Sequence, residues 1–174
     1  MGAIVRDDTI YNMKEAKLKE IKSKVKEWGF TVVDEDLAKP WGGYFVIDPG
    51  ETERFIESYF SEHKDKFSNS KELSPKFLIL EPGKQFSWQV HDRRAEIWRA
   101  VEGRLGAYIN DNDELPETHL EFKDGDVLFM EQGMRHRLRG LDEWGVVAEI
   151  WVHVDEEQLS DEDDIRRIMD DFGR

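Results

Sequence analysis

Two short stretches of this chain space residues able to bind a metal ion in a way that could bring them together. In the first, residues 83–103, Gly83 is followed after five intervening residues by Gln89, after one more by His91, after four more by Glu96 and after six more by Gly103. In the second, residues 125–140, Gly125 is followed after five residues by Glu131, then by Gly133 and, after two more, by His136. Gln89, His91, Glu96 and His136 together offer an amide oxygen, two imidazoles and a carboxylate. A mixed nitrogen and oxygen set of this kind suits a divalent transition metal, whether Zn, Mn, Fe, Co or Ni. With four protein ligands an octahedral ion keeps positions free for water or substrate oxygens. The blander alternative is a set of hydrogen-bonded barrel residues without a metal. Residue types alone do not choose among the five ions.

Strands are needed to bring such residues together, and side chains two apart on a strand share a face. If His91 points inward, Gln89, Ser87 and Gln85 follow it, and Phe86, Trp88 and Val90 point outward. That outward trio needs cover, from the N-terminal helices or from a second subunit, so a homodimer is expected. On the following strand Glu96 brings Arg94 and Trp98 inward and sends Ile97 and Arg99 out. Leu138 shares the inward face with His136, leaving Arg135, Arg137 and Arg139 on the other side, paired with acids. His63 and His119 read as peripheral, and His153 closes the last strand.

The rhythm of turn residues predicts eight short strands, at 76–80, 85–91, 94–101, 105–110, 118–122, 126–130, 135–138 and 145–154. Such a run suggests an antiparallel sandwich or barrel. Ahead of it, Leu18, Ile21, Val25 and Trp28 mark an amphipathic helix over 12–28 that stops at Gly29. Short strands are expected at 30–33 and 44–47 with a polar connector over 34–39, and a second helix at 52–60. Ser160 followed by DEDDIRRIMDDF reads as a capped, acid-first C-terminal helix. The fold class is therefore all-β, a jelly-roll barrel with added N-terminal helices and a C-terminal helix. Two parts are expected: a helix and strand over 1–38 packing on the barrel, and the barrel domain over 39–174 with a helical insertion at about 51–67.

At 174 residues the chain suits one domain with a full core. A formal charge of −14 argues against nucleic acid or an anionic membrane as partner, since both require a basic field. It also means that an anionic substrate needs a local basic pocket. No cysteine is present, which excludes disulfides and thiolate chemistry. No apolar run approaches the ~20 residues that span a bilayer, and a cytoplasmic location is expected.

The two spacings resemble the paired motifs of the cupin superfamily, with Gln89 in place of the usual first histidine and Glu131 in place of the usual proline. A narrower resemblance follows from the wording of the motifs. FSWQVHDRRAEIW and MRHRL are similar to the two ligand-bearing motifs of type II phosphomannose isomerases. KPWGGY near position 40 and the ending DEDDIRRIMDDFGR resemble that family's opening and close. Asp92, Arg93 and Ile97 depart from it, standing where the family usually has histidines.

This resemblance implies a metal held by Gln89, His91, Glu96 and His136, and an active site that includes Arg94 and Lys76. It implies an aldose–ketose isomerase acting through an enediol on a small sugar or sugar phosphate, most similar to mannose-6-phosphate isomerase. Arg94 is expected to stabilise negative charge or bind phosphate, so that Arg94→Ala loses turnover and keeps its metal. Lys76 assists one of these roles. Glu149, in the apolar strand VVAEIWV, is a candidate proton carrier or a buried partner for an arginine. Alternatives are an isomerase of an unphosphorylated sugar such as lyxose or mannose, a non-catalytic sugar-binding cupin, and an iron-dependent dioxygenase, which Gln89 disfavours.

Overall fold

The computed structural model describes residues 7–67 and 72–174. Its first element, α1 (Asp7–Glu27), carries Leu18, Ile21 and Val25 on one stripe, all buried. Spacings of three and four residues give the helix a single apolar face. The helix ends at Gly29, whose φ of 89° favours a residue without a Cβ. The Gly29 N–H donates to Lys26 O at 2.9 Å and the Phe30 N–H to Val25 O at 3.1 Å, the paired closure of a Schellman end.

Strand β1 (Val32–Asp36) pairs with β2 (Gly42–Ile47), and a short 3-10 turn leads into α2 (Thr52–Tyr59). A second 3-10 stretch, Ser61–Phe67, completes the helical insertion expected near 51–67. The connector expected at 34–39 is shorter than read, because Asp34, Glu35 and Asp36 continue β1 along the edge of its sheet. An edge strand with a face in water tolerates such acids.

Nine strands follow: β3 (Lys76–Leu80), β4 (Trp88–Val90), β5 (Arg94–Glu102), β6 (Arg104–Asn110), β7 (Leu120–Lys123), β8 (Val127–Met130), β9 (Arg135–Gly140), β10 (Gly145–His153) and β11 (Arg166–Met169). They complete a six-stranded sheet in the order β1-β2-β3-β10-β5-β8 and a five-stranded sheet in the order β11-β4-β9-β6-β7. The protein is thus an all-β jelly-roll barrel with helices packed on one side. Each of the eight strands read from the turn rhythm is present, as β3 to β10.

The larger sheet is apolar on both faces, which explains near-continuous hydrophobic runs such as VVAEIWV. Its outer face, including Phe45, Phe77, Ile97 and Ile150, packs under Leu18, Val25 and Phe55 of the two helices. Its inner face, including Leu78, Trp98 and Val147, meets Leu105, Phe122 and Leu138 across the barrel. Each such side chain withdrawn from water contributes about 1.5–3 kcal/mol. Lys76, Arg94, Glu96 and Glu149 belong to the inner set by alternation, so the fold commits four charged groups to its interior, all buried. Among the described residues no helix is long and apolar enough to cross a membrane.

Two expectations require correction. The C-terminal helix does not form; the chain turns through 161–164 and runs as β11 antiparallel to β4. Long-range bonds override the acid-first pattern. The Asp164 carboxylate accepts the N–H groups of Asp92 at 2.9 Å and Arg93 at 3.0 Å, and the hydroxyl of Ser160 at 2.6 Å. Ser160, read as a helix cap, closes this turn instead.

The strand expected over 85–91 shrinks to β4, with one isolated bridge from Gln85 to Arg139. Regular pairing is interrupted at residues 86 and 87, with the Phe86 N–H still donating to Leu138 O at 2.9 Å, and this breaks the alternation. Phe86 therefore turns into the core, 4.3 Å from the Trp41 ring and 6.2 Å from Trp98. Trp88 is fully buried, its indole N–H donating to Asp113 O at 2.9 Å, and Val90 is buried too. The apolar face thought to need cover is closed within one chain, and a second subunit is not required for it.

Candidate metal centre

Three ligand atoms meet on the inner floor of the barrel. His91 follows β4, Glu96 lies on β5 and His136 on β9, where it sits in register with Gln89. His91 Nε2 is 3.1 Å from Glu96 Oε1 and 3.1 Å from His136 Nε2, and His136 Nε2 is 3.3 Å from Glu96 Oε2. All three side chains are buried and form a group able to hold a metal ion.

Protons on the two imidazoles are placed by their outer partners. His91 Nδ1 lies 2.6 Å from Asp164 O, and His136 Nδ1 lies 3.0 Å from Met134 O. A carbonyl only accepts, so each Nδ1 carries the hydrogen and each Nε2 turns a lone pair toward the centre. Two imidazole lone pairs and a carboxylate thus converge on one point, an arrangement that calls for a cation. Metal–nitrogen bonds of about 2.0–2.1 Å at right angles separate two ligand atoms by about 3 Å, close to the distances found.

Without a metal, protons share that task. Burial pushes the Glu96 carboxyl up, but His91, Arg94 and His136 outweigh it and hold it well below the usual carboxylate range. Burial pushes His91 down, and Glu96 overcomes this to leave it raised. Titrating Zn²⁺ or Mn²⁺ into chelator-treated protein is expected to raise its melting temperature, with about 2.7 kcal/mol gained at a hundredfold excess over Kd. Differential scanning calorimetry and metal analysis check this, and no binding of either ion counts against the centre.

Gln89 stands beside the triad with the wrong atom forward. Its Nε2 is 3.4 Å from His91 Nε2, while its Oε1 accepts from Ser87 Oγ at 2.7 Å. A half-turn of the amide presents the oxygen, and the Ser87 hydroxyl can then accept instead of donate.

Around the centre lies a cavity of about 210 Å³, lined in part by Tyr44, Phe86 and Trp151. Its cationic lining is Lys39, Lys76, Arg94, Arg167 and Arg174, against the acids Glu96, Glu149 and Glu162. Five cations against three acids give this lining an excess of basic residues in a chain of net charge −14.

Residues 59–170 match the family described as Mannose-6-phosphate isomerase C-terminal. The chain belongs to this family. Its fold is that of the cupins, as the resemblance implied. Oxalate decarboxylase from Bacillus subtilis superimposes with a TM-score of 0.54 at 17% identity, over 77% of this chain and 29% of that one. CapF, a capsular polysaccharide assembling protein from Staphylococcus aureus, does so with a TM-score of 0.53 at 12% identity, over 79% and 34%. A cupin 2 conserved barrel domain protein from Salinispora arenicola gives 0.40 at 23% identity, over 47% and 63%. The chain spans about a third of the length of the first two structures. No curated protein matches it significantly.

Within this family member the remaining expected site residues take distinct places. Arg94 is a brace: Nε donates to Glu96 Oε1 at 2.9 Å, Nη1 donates to Ser160 Oγ and Asp161 O at 2.9 Å each, and the guanidinium lies 3.9 Å from the Trp151 ring. Lys76 reaches Glu162 and lies over Trp151 at 4.2 Å and Tyr44 at 5.4 Å. Glu149 accepts from the Trp98 indole N–H at 2.8 Å. Burial, reinforced by Glu96 and opposed by Lys76 and Arg94, pushes it up to about 7.

His153 stays out of the cavity, donating from Nε2 to Glu72 O at 2.8 Å and accepting the Ser160 N–H on Nδ1 at 3.0 Å. The arginine row lies on the other face of β9, but only in part as expected: Arg135 pairs with Asp113 at 2.8 Å, Arg137 is buried, donates to Met169 O at 3.2 Å and lies 3.7 Å from Asp171, and Arg139 donates to Tyr108 Oη at 3.1 Å instead of to an acid.

Sequence reasoning missed Ser160, Glu162, Asp164, Arg167 and Arg174, which all come from the C-terminal segment read as a helix. The available signal was the likeness of that segment to the family's ending.

Proposed function

We propose that the protein is a metal-dependent aldose–ketose isomerase of a sugar phosphate, with mannose 6-phosphate as the leading substrate. The observation that carries this reading is Glu149, a buried carboxyl near neutrality in the same cavity as the convergent His91, Glu96 and His136 donors. Isomerisation moves one proton between C1 and C2 of an open-chain sugar, and a carboxyl titrating close to neutral pH can both take and return it.

A divalent ion held by His91, Glu96 and His136 would supply a Lewis acid for the substrate carbonyl. Glu149 accepts the proton from C2, leaving the enediol, and returns it to C1; the hydroxyl proton passes from O2 to O1. Trp98 holds the carboxyl in place through its indole N–H. Arg94 fixes Glu96, and the aromatic walls Tyr44, Phe86 and Trp151 limit water in the cavity. Lys76 and the cationic rim favour a phosphorylated over a neutral sugar.

The test is deuterium exchange at C2 in D2O across a panel of sugars and sugar phosphates. Exchange confined to phosphorylated substrates is the expected result, with kcat/KM rising along a limb whose midpoint lies at or below about 7, since a dication near Glu149 favours its ionised form. Equal exchange on neutral lyxose or mannose moves the activity to unphosphorylated sugars. Sugar binding without any exchange at C2 sinks the isomerase and leaves a binding protein.

A further inference from the structure

We propose that Glu162 is a displaceable counter-ion for Lys76, and that the anionic group of the substrate replaces it on binding. The inference rests on the reading of the cavity as a sugar-phosphate site and adds the device by which that site rejects neutral sugars.

Lys76 opens β3 with its side chain 5% exposed, whereas the Glu162 side chain that pairs with it is 65% exposed. An ammonium this deep requires a compensating charge. Glu162 supplies it from the mouth of the cavity, while Glu149, opposite Lys76 in the ladder, acts on the same ammonium from inside; Lys76 is the sole partner of Glu162 among the described residues. A carboxylate so placed returns to water by a change of rotamer, at little cost in solvation.

Its neighbours cannot leave so easily. Asp161 accepts from Arg94 through its carbonyl at 2.9 Å and from Arg93 through its carboxylate at 3.1 Å. Asp164 is buried and accepts two backbone N–H groups and the Ser160 hydroxyl. The segment is therefore pinned on both sides of Glu162, so the side chain can let go while the backbone stays and the His91–Asp164 bond persists.

Position supports the same conclusion. Glu162 and Trp151 line both the cavity of about 210 Å³ around the candidate ligands and a neighbouring groove of about 790 Å³. The carboxylate thus stands on the boundary between the two and covers the one charged atom of Lys76 that a ligand from that side would meet. A phosphate group carries nearly two charges and three acceptor oxygens, so it outcompetes a single carboxylate for the ammonium. A neutral sugar has nothing with which to displace it. Glu162 in this role sets selectivity for anionic substrates, at some expense in their affinity.

The experiment measures inorganic phosphate binding to the metal-loaded protein by calorimetry, independently of any turnover. Glu162→Gln is expected to tighten phosphate about fivefold, the size of one modest ion pair. In a Lys76→Gln background the same change is expected to have no effect. The proposal is overturned by unchanged or weaker phosphate affinity in Glu162→Gln, by an equal gain without Lys76, or by no measurable binding in either protein. Tightened phosphate together with no deuterium exchange on any sugar phosphate keeps the counter-ion and discards the isomerase. Exchange on sugar phosphates with phosphate affinity indifferent to Glu162 does the reverse.

Discussion

Glu149→Gln is expected to lower kcat by about a thousandfold, within the range of about 10²–10⁴ that a positioned proton carrier contributes. Glutamine keeps the volume and an acceptor for the Trp98 indole N–H, so metal content should be unchanged. The same substitution has a second, opposite effect in the metal-free protein. The Glu149 carboxyl rises from its ordinary value of 4.5 to about 7 in the fold, chiefly through burial. A raised carboxyl contributes stability that is fully present below pH 4.5 and is lost as pH rises through about 7, because the ionised form is disfavoured inside the barrel. Above that pH the loss amounts to about 3 kcal/mol, and glutamine never incurs it. Urea melts should therefore find Glu149→Gln more stable than the parent at pH 8 and no more stable at pH 4. A group that weakens the fold at working pH and whose removal destroys turnover behaves as a functional residue. Full activity in Glu149→Gln would refute its role as proton carrier.

Arg94→Ala is the second large effect, and its expected signature differs from the one read from sequence. There it was to lose turnover and retain metal. In the structure its N–H groups are committed to Glu96, Ser160 and Asp161, so the substitution should weaken the centre itself. Removing one partner from a buried ionic cluster costs about 3–5 kcal/mol. Loss of an outer partner of a metal ligand lowers affinity by about 10–100-fold. Zn²⁺ affinity from competition with a chelator, measured beside a urea melt, tests both figures. Arg94→Lys should not restore them, since one ammonium cannot span a carboxylate, a hydroxyl and a carbonyl at once. Metal affinity equal to the parent in Arg94→Ala would return Arg94 to the role of anion binder.

What could be read in advance followed local rules. On β5, whose pairing is regular from Arg94 to Ala100, alternation placed Arg94, Glu96 and Trp98 inward and Ile97 outward without error. His91 and His136 were legible because glycine turns punctuate the strands that carry them. Alternation failed where the ladder failed: Phe86 was assigned to the surface because nothing local announces that regular pairing is interrupted at residues 86 and 87. The C-terminal segment was misread for a related reason. Its acids suit a helix start, but its conformation is decided by partners such as His91, 73 residues distant from Asp164, and Lys76, 86 residues distant from Glu162. The basic cavity was hidden by the net charge, because Lys39, Lys76, Arg94 and Arg167 reach it from separate segments.

The bond from His91 to the carbonyl of Asp164 also has a meaning in time. During synthesis at about 5–20 residues per second, the loop and strands bearing His91, Glu96 and His136 leave the ribosome seconds before Asp164 does. Until then the proton on His91 is unassigned, the edge of β4 lies open, and Arg94 lacks both Ser160 and Asp161. A nascent barrel therefore holds its three donors without the clasp that aims them. Arrival of residues 160–164 supplies the partners that orient His91 and Arg94.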